Sequence, residues 1–408
     1  MRDPAGLQEL LKAALCQRHA ASLLRRRRPI EPRGGALVEL EGRRYVNFSS
    51  NDYLGLRTHP SVVAAVVDAT RNLGSGSGAS PLICGYSPLH QSAEQALATW
   101  KGTRSAVLLP SGYQANQAVV QTIAAAVAGG TGIKSRVRFI LDKLVHASLI
   151  DAVRASGAPM RVFPHNGIAK LARLLDDADA AELQVVVTES IFSMDGDAAD
   201  LRAIIELKRK RPFVLVLDEA HGSGVYGENG AGYAAECGVS AEVDIFVVTL
   251  SKALGCMGGA VCASGEFCDA VVNFGRAYIY STSVPPSVPA GLIAALDVLR
   301  CEPQRQQRVR EISLDVRSRL KRVGHSIGEG DSPIIPIVVG SEEGAIAEAN
   351  RLLERGILVS AIRPPTVPRQ SSRLRVTLSS EHTEEQIEAL VEAFTRAADL
   401  PSAPRRNS

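Results

Sequence analysis

Five polar segments follow five short apolar runs in the middle of the chain, and each segment carries a side chain capable of chemistry. The apolar runs span residues 106–109, 139–141, 185–187, 213–217 and 245–248. Short apolar runs separated by helical patterns predict buried, mostly parallel strands. Since ligands of open α/β sheets bind beyond the carboxyl ends of the strands, we expect the five segments to face one site.

Lys252 follows the last apolar run and precedes a glycine-rich turn that begins at Gly255. A lysine that is removed from water loses its proton more easily and becomes an amine nucleophile or a base. The alternative is a lysine at a domain edge whose ammonium group reaches water along its flexible stem. Considered alone, the residue fits both interpretations.

Asp218 ends a fully apolar run, so we expect its carboxylate to be buried at the end of a strand. A buried carboxylate needs a partner, and the sequence offers no obvious one. A bound cation is therefore a candidate partner. The alternative is that Asp218 caps the amino terminus of a following helix.

The other three segments are less specific. Ser111, Gly112 and Tyr113 enter a helix whose free N–H groups would cradle a phosphate, although Ser111 is equally typical of a simple N-cap. His146 follows the second run as a ligand or as a structural histidine. Ser193 lies in an acidic loop that matches no calcium-binding pattern and so is better interpreted as a hydrogen-bond donor than as part of a metal site.

Together these groups match what pyridoxal 5′-phosphate (PLP) requires of a protein. The cofactor needs a phosphate pocket, a carboxylate against its pyridine nitrogen and a lysine for its aldehyde. An anion cradle, Asp218 and Lys252 supply these three functions at neighbouring strand ends. The residues therefore predict a PLP enzyme, with no metal ion.

The elements that must position these residues indicate an α/β fold in which a mostly parallel sheet is followed by a smaller α+β region. The sequence predicts an N-terminal helix over residues 5–28, stopped by Pro29, and a short β segment over 35–48. We place an N-terminal segment at 1–55, a large α/β domain at 56–290, a small C-terminal α+β domain at 291–400 and a disordered tail at 401–408.

Beyond Pro286 the pattern changes. One long helix is predicted over residues 287–323, followed by strands at 334–339 and 374–378. Thr383 and Gln386 form a capping box that predicts the start of the last helix.

Composition limits the class of protein. The 408 residues carry a net charge of only +3, which argues against a nucleic-acid-binding surface. No apolar stretch reaches the roughly 20 residues of a membrane helix, and the N-terminus lacks the apolar core of a secretory signal. The seven cysteines contain no C-x-x-C pair, as expected of reduced thiols. We expect a cytoplasmic protein.

The ordered motifs of the chain are those of a known family. The sequence resembles the α-oxoamine synthases, fold-type I PLP enzymes that condense an amino acid with an acyl thioester and release CO₂. The resemblance runs from about Arg25 to the last helix. It rests on NFSSNDYLGL (47–56), SGYQANQAV (111–119), HASLIDAVR (146–154), ESIFSMDGD (189–197), DEAHGSGVYGENGAG (218–232), TLSKALG (249–255) and IYSTSVPP (279–286).

This resemblance implies a role for each matching residue. Lys252 would hold the cofactor as a Schiff base and act as general base, Asp218 would pair with the pyridine nitrogen, and His221 would bond the ring hydroxyl. His146 would stack on the ring and orient the substrate carboxylate. The cofactor pocket would be completed by Ser111, Gly112, Tyr113, Ser193 and Thr249, and the acyl substrate would meet Arg25 and Thr366.

Within the family, the segment AIRPPTVP (361–368) is most similar to members of the biotin pathway. These use L-alanine and a pimeloyl thioester, carried on coenzyme A or on a carrier protein. The resemblance also implies a homodimer in which residues 279–286 reach the partner's site. Three alternatives remain: a sister synthase using glycine and a short acyl-CoA, a non-catalytic partner subunit, and another fold-type I reaction such as aldol cleavage.

Two positions depart from the family pattern. Pro81 stands where an arginine is frequent, and Gly167 follows His165-Asn166 where an aspartate is frequent. Neither belongs to the expected cofactor set, so both bear on substrate choice. In the basic run 25–28 we expect a substrate role for Arg25 and solvated side chains for the other three arginines.

Overall fold

A computed structural model describes residues 6–129, 136–177 and 182–395. The contacts of the chain divide it into two compact units. The larger unit is continuous and spans Asn51–Arg310, whereas the smaller unit combines the chain up to Ser50 with the chain from Glu311 onward. The N-terminal segment and the C-terminal region, which the sequence separated, therefore share one unit.

The described residues form short strands and longer helices in alternation. The strands are β1 (Glu31–Pro32), β2 (Leu37–Leu40), β3 (Arg43–Asn47), β4 (Ser105–Leu109), β5 (Arg136–Asp142), β6 (Met160–Phe163), β7 (Glu182–Glu189), β8 (Val214–Asp218), β9 (Ile245–Thr249), β10 (Gly259–Ala263), β11 (Ile334–Gly340), β12 (Ile357–Leu358), β13 (Ser360–Ile362) and β14 (Ser372–Thr377). The helices are α1 (Leu7–Ala20), α2 (Pro60–Leu73), α3 (Pro88–Lys101), α4 (Gly112–Ala128), α5 (Ala147–Ser156), α6 (Ile168–Asp176), α7 (Leu201–Lys210), α8 (Tyr233–Glu236), α9 (Gly265–Phe274), α10 (Arg276–Ile279), α11 (Ser287–Cys301), α12 (Gln304–Arg322), α13 (Glu342–Glu354) and α14 (Glu384–Thr395).

A seven-stranded sheet in the order β4-β10-β9-β8-β7-β5-β6 forms the centre of the larger unit. Strands β5 to β9 pair in parallel, and β10 runs antiparallel between β4 and β9. The inner strands are buried along almost their whole length, which is why they appear in the sequence as continuous apolar runs. The predicted α/β fold with a mostly parallel sheet is confirmed.

The smaller unit contains two short sheets. One has the order β1-β2-β3-β12 and the other β11-β14-β13. Strand β12 pairs in parallel with β3, with Ile357 opposite Val46. This pairing joins the predicted N-terminal β segment to the C-terminal part of the chain.

Two helix predictions are wrong in extent. Helix α1 ends at Ala20, where Ser22 adopts a left-handed φ of 54°, so the basic run 25–28 lies outside it. The predicted helix over 287–323 is two helices, α11 and α12. Glu302 leaves the helical conformation (φ −126°, ψ 57°), as expected of a residue before proline, and Pro303 has no N–H to continue the hydrogen-bond ladder.

The last helix begins as predicted. The Thr383 N–H donates to Gln386 Oε1 at 3.1 Å, and the Gln386 N–H donates to Thr383 Oγ1 at 3.4 Å. Residues 401–408 lie outside the described part of the chain. Among the described residues, no helix combines the length and apolar character needed to cross a membrane.

Candidate cofactor and catalytic site

The carboxyl ends of β7, β8 and β9 bring most of the predicted site residues to one edge of the large sheet. Glu189 at the end of β7 lies opposite Asp218 at the end of β8. Lys252 lies in the turn that follows β9, and it is half-buried rather than fully buried. The structure thus brings Lys252, Asp218, His221 and His146 into one cluster.

A hydrogen-bonded chain runs from Lys252 into the protein. Lys252 Nζ lies 2.7 Å from His221 Nε2, and His221 Nδ1 lies 2.7 Å from the hydroxyl of Tyr53. Tyr53 donates its proton to Asn51 Oδ1 at 3.2 Å, so it accepts from His221 Nδ1–H. The Nε2 lone pair of His221 is then the acceptor for a Lys252 N–H. The sequence missed Tyr53, although it lies within NFSSNDYLGL.

Asp218 is buried, as predicted, with 4% of its surface exposed. Its Oδ2 accepts from Asn116 Nδ2 at 2.8 Å and its Oδ1 accepts from the Ala220 N–H at 2.9 Å. Both donors are neutral. The following residues form turns and no helix, so the helix N-cap interpretation of Asp218 is wrong. A buried carboxylate with two neutral donors is suited to a cationic ligand atom.

His146 caps the amino terminus of α5. Its Nδ1 accepts from the Ser148 N–H at 3.2 Å and lies 2.7 Å from Ser148 Oγ. The residue remains exposed, as a group that meets substrate must be. Partial burial of the imidazole lowers the pKa of His146 below its usual value, although the charge of Asp218 opposes this shift.

The start of α4 is both a capped helix end and a helix amino terminus suited to an anion. Ser111 Oγ accepts from the Gln114 N–H at 3.2 Å, which confirms the N-cap interpretation. The first N–H groups of α4 remain available to an anion. Any side chain at Gly112 would overlap the Thr249 hydroxyl, so only glycine allows this close approach. Tyr113 is exposed and donates to Asp151 Oδ2 at 3.0 Å.

Glu189 connects two of the predicted cofactor residues and was missed in the sequence. The residue is buried, and the backbone N–H groups of His146 and Ser193 both donate to its carboxyl group. Burial and then the neighbouring Asp218 hold the pKa of Glu189 well above its usual range. The Glu189 carboxyl group therefore joins the loops that carry His146 and Ser193.

A second connection between these loops is made by His165. Its Nδ1 lies 3.1 Å from Asp142 Oδ1, and its Nε2 lies 2.6 Å from Asp197 Oδ2. Partial burial opposes the charged ring, but the hydrogen bonds that His165 donates to Asp142 and then to Asp197 raise its pKa to about 10. Gly167, which departs from the family pattern, lies next to the Asp142–His165–Asp197 contacts. It precedes α6, and no side chain caps that helix.

Arg25 and Thr366 lie in the smaller unit. Arg25 Nη2 donates to the Pro364 carbonyl at 3.2 Å, which places it against the AIRPPTVP segment. Arg363 of that segment donates to the Ser22 and Leu24 carbonyls, and burial followed by repulsion from Arg25 lowers its pKa. The sequence motif contained Arg363, but the residue was not selected.

The other arginines of the basic run are exposed, as expected of solvated side chains, but they also line a cavity. Arg26, Arg27 and Arg28 border a space of about 990 Å³ in the smaller unit, together with Arg363 and mostly uncharged residues. A cavity bordered by four guanidinium groups favours an anionic ligand.

The residues of the large sheet fit PLP. Gly112 and Thr249 form a close cradle at a helix amino terminus, Asp218 presents a carboxylate with neutral donors, and Lys252 is held by His221. These are the three functions that the cofactor needs.

Comparisons with known proteins agree with this fit. Residues 43–394 match the family Aminotransferase class I and II. The chain is 41% identical over 403 residues to an 8-amino-7-oxononanoate synthase of Anaeromyxobacter dehalogenans, covering 98% of this chain and 99% of the relative. It is 40% identical over 390 residues to the enzyme of that name from Trichlorobacter lovleyi, covering 95% and 97%.

Among solved structures, a serine palmitoyltransferase from S. paucimobilis with bound PLP and myriocin superimposes with a TM-score of 0.89. The two are 28% identical, and the match covers 98% of this chain and 100% of the other. The chain therefore belongs to the class I and II aminotransferase family, and its cofactor is PLP.

Proposed function

We propose that this PLP-dependent acyltransferase of the class I and II aminotransferase family condenses L-alanine with a pimeloyl thioester in biotin biosynthesis. The products are 8-amino-7-oxononanoate, CO₂ and the free thiol. The observation that carries the reaction type is the Lys252–His221 contact beside Asp218 at the edge of the large sheet. The choice of substrates rests on the names of relatives about 40% identical over nearly the whole chain.

Bound PLP supplies an electron sink for the negative charge that develops at the substrate Cα. Asp218 would pair with the pyridine nitrogen and favour its protonated form, and this charge pairing would make the ring a better sink. His221, held by Tyr53 at its other ring nitrogen, would form a hydrogen bond with the ring hydroxyl. The phosphate and the ring would be held by Ser111, Gly112, Tyr113, Ser193 and Thr249.

Lys252 moves the protons of the reaction. Its amine takes the Cα proton of L-alanine, and the electron pair left on Cα attacks the thioester carbonyl. The C–S bond breaks, and the thiolate that leaves takes a proton from solvent. The alanine carboxylate then departs as CO₂, and Lys252 returns a proton to Cα. His146 holds the alanine carboxylate before it leaves.

Arg25 and Thr366 hold the acyl substrate in this proposal. A pimeloyl chain ends in a carboxylate, and coenzyme A and carrier proteins both bring phosphate or acidic groups, so cations are the suitable partners. The protein acts as a homodimer, and residues 279–286 reach the partner's site.

The test is product mass spectrometry with L-alanine and either pimeloyl-CoA or a pimeloyl carrier protein. We expect 8-amino-7-oxononanoate from one or both thioesters. Because serine palmitoyltransferases share the fold, glycine, serine, acetyl-CoA and palmitoyl-CoA complete the panel. Faster thiol release with glycine and acetyl-CoA would assign a glycine C-acetyltransferase instead. A purified protein without a yellow chromophore would indicate a non-catalytic partner subunit, and product formation without a thioester would indicate aldol cleavage.

A further inference from the structure

The hydroxyl of Ser148 lies between two polar groups and interacts with both. Asn116 Nδ2 donates to Ser148 Oγ at 2.9 Å, and Ser148 Oγ lies 2.7 Å from His146 Nδ1. Since the hydroxyl accepts from Asn116, its own proton is free to donate to His146 Nδ1. Ser148 is fully buried, so this geometry is shielded from water.

The hydrogen bonds from Asn116 to Ser148 and from Ser148 to His146 form a relay, and Asp218 sets the direction in which its members donate. One N–H of the Asn116 amide donates to Asp218 Oδ2 at 2.8 Å and the other to Ser148 Oγ. A carboxylate only accepts, so the amide nitrogen must face it. Asn116 is 2% exposed, and among the described residues its Oδ1 has no hydrogen-bond partner. The Asn116 amide therefore makes two hydrogen bonds through its nitrogen, while its oxygen makes none among the described residues.

Two donors therefore converge on His146 Nδ1. The Ser148 hydroxyl and the Ser148 backbone N–H both point at this atom, at 2.7 and 3.2 Å. A ring nitrogen that accepts carries no proton, and a neutral imidazole then holds its proton on the other nitrogen. The proton of His146 lies on Nε2.

We propose that Asn116 and Ser148 are positioning residues that keep His146 neutral with its proton on Nε2, where it donates to the carboxylate of the amino-acid substrate. The inference rests on the proposed function, because it takes the substrate to be an amino acid bound beside His146. In this proposal Asn116 connects Asp218, which would face the pyridine nitrogen of PLP, with His146, which would face the substrate carboxylate.

The first test is the binding of L-alanine to the holoenzyme without acyl thioester, followed by the absorbance of the bound cofactor. Ser148→Ala removes the hydroxyl and keeps the backbone N–H. We expect the half-saturating alanine concentration to rise at least tenfold, which is about 1.4 kcal/mol. In a separate turnover assay with acyl thioester, kcat should change less. Ser313→Ala is the matched control, because Ser313 is equally buried and its Oγ donates to the Ser332 carbonyl at 2.6 Å. The control should stay within twofold of the wild type.

The second test observes the proton directly. In protein carrying ¹⁵N-labelled histidine, a long-range ¹H–¹⁵N spectrum distinguishes the protonated ring nitrogen, and loss of a signal in His146→Asn assigns it. We expect a protonated Nε2 and an unprotonated Nδ1, with the pattern changed in Ser148→Ala and in Asn116→Leu. A proton on Nδ1 of the wild type would overturn the inference, as would wild-type alanine binding in both relay variants. A wild-type holoenzyme that fails to respond to L-alanine would instead refute the proposed substrate.

Discussion

Replacing Asp218 with asparagine tests the central electrostatic contact of the site. The side chain is 4% exposed, and Asn116 and Ala220 donate to its two oxygens. Asparagine keeps the shape but removes the charge, and its single oxygen can satisfy only one of the two donors. The protonated ring nitrogen of PLP would then face a neutral group.

The expected loss follows from these contacts. Leaving one member of a buried ion pair without its partner costs about 3–5 kcal/mol. At about 1.4 kcal/mol per factor of ten, turnover should fall roughly 150- to 4,000-fold. The ring loses its proton more easily in this variant, so the loss should appear in kcat while part of the cofactor stays bound.

The assay is the release of free thiol from the acyl thioester, with the amount of bound PLP measured by absorbance in the same sample. Asp176→Asn is the matched control, because Asp176 forms an exposed ion pair with Arg211 and such pairs contribute about 0–1 kcal/mol. Turnover of Asp218→Asn within fivefold of the wild type, at full PLP occupancy, would refute the assignment of Asp218 to the ring nitrogen.

Five further variants test four other parts of the protein. Lys252→Ala should abolish both turnover and the absorbance band of lysine-bound cofactor; a spectrum that retains the band would contradict the role of Lys252. Lys101→Met leaves the buried Glu219 without its cation and should lower the free energy of unfolding by about 3–5 kcal/mol, measured in urea. Adding Glu219→Gln to Lys101→Met should recover most of that loss; the same stability in both variants would contradict a buried charge penalty. Arg25→Ala should raise the KM for the acyl thioester about tenfold and leave the KM for L-alanine unchanged, so equal effects on the two would count against it. Burial lowers the pKa of His382 to about 4 from 6.5, so its contribution to stability is full above about pH 6.5 and decreases as the pH falls toward 4; unfolding of His382→Asn at pH 7 and 5 should show a weaker dependence than the wild type.

Five of the seven strands of the large sheet were predicted, because their burial leaves continuous apolar runs. β6 was missed, because most of its residues are not buried. β10 was missed, because Gly259–Ala263 consists of small residues that follow a glycine-rich turn. Pro303 is a local sequence signal for the break between α11 and α12. The end of α1 has no equally clear signal in the sequence. The sequence therefore predicted best those elements whose burial in the core produces a continuous apolar run.

The primary groups of the site were predictable for a related reason. Asp218 is the last residue of β8, and His146 and Lys252 lie shortly after the ends of β5 and β9. The position of each therefore depends on a single strand and on where that strand ends. Asn116 and Glu189 were missed because their roles depend on partners from distant segments. Asn116 donates a hydrogen bond to Asp218, which lies 102 residues further along the chain. A contact over this distance in sequence cannot be predicted from the residues around Asn116.

The pairing of β3 with β12 has a consequence for the order in which the chain acquires its structure. Val46 in β3 pairs with Ile357 in β12, and Ile357 is synthesised some three hundred residues later. The segment Asn51–Arg310 contains all seven strands of its own sheet, so it can fold during synthesis while the first fifty residues remain without their partner strand. A truncated chain ending before Ile357 would therefore leave the edge of β3 unpaired, and an unpaired strand edge is a starting point for aggregation.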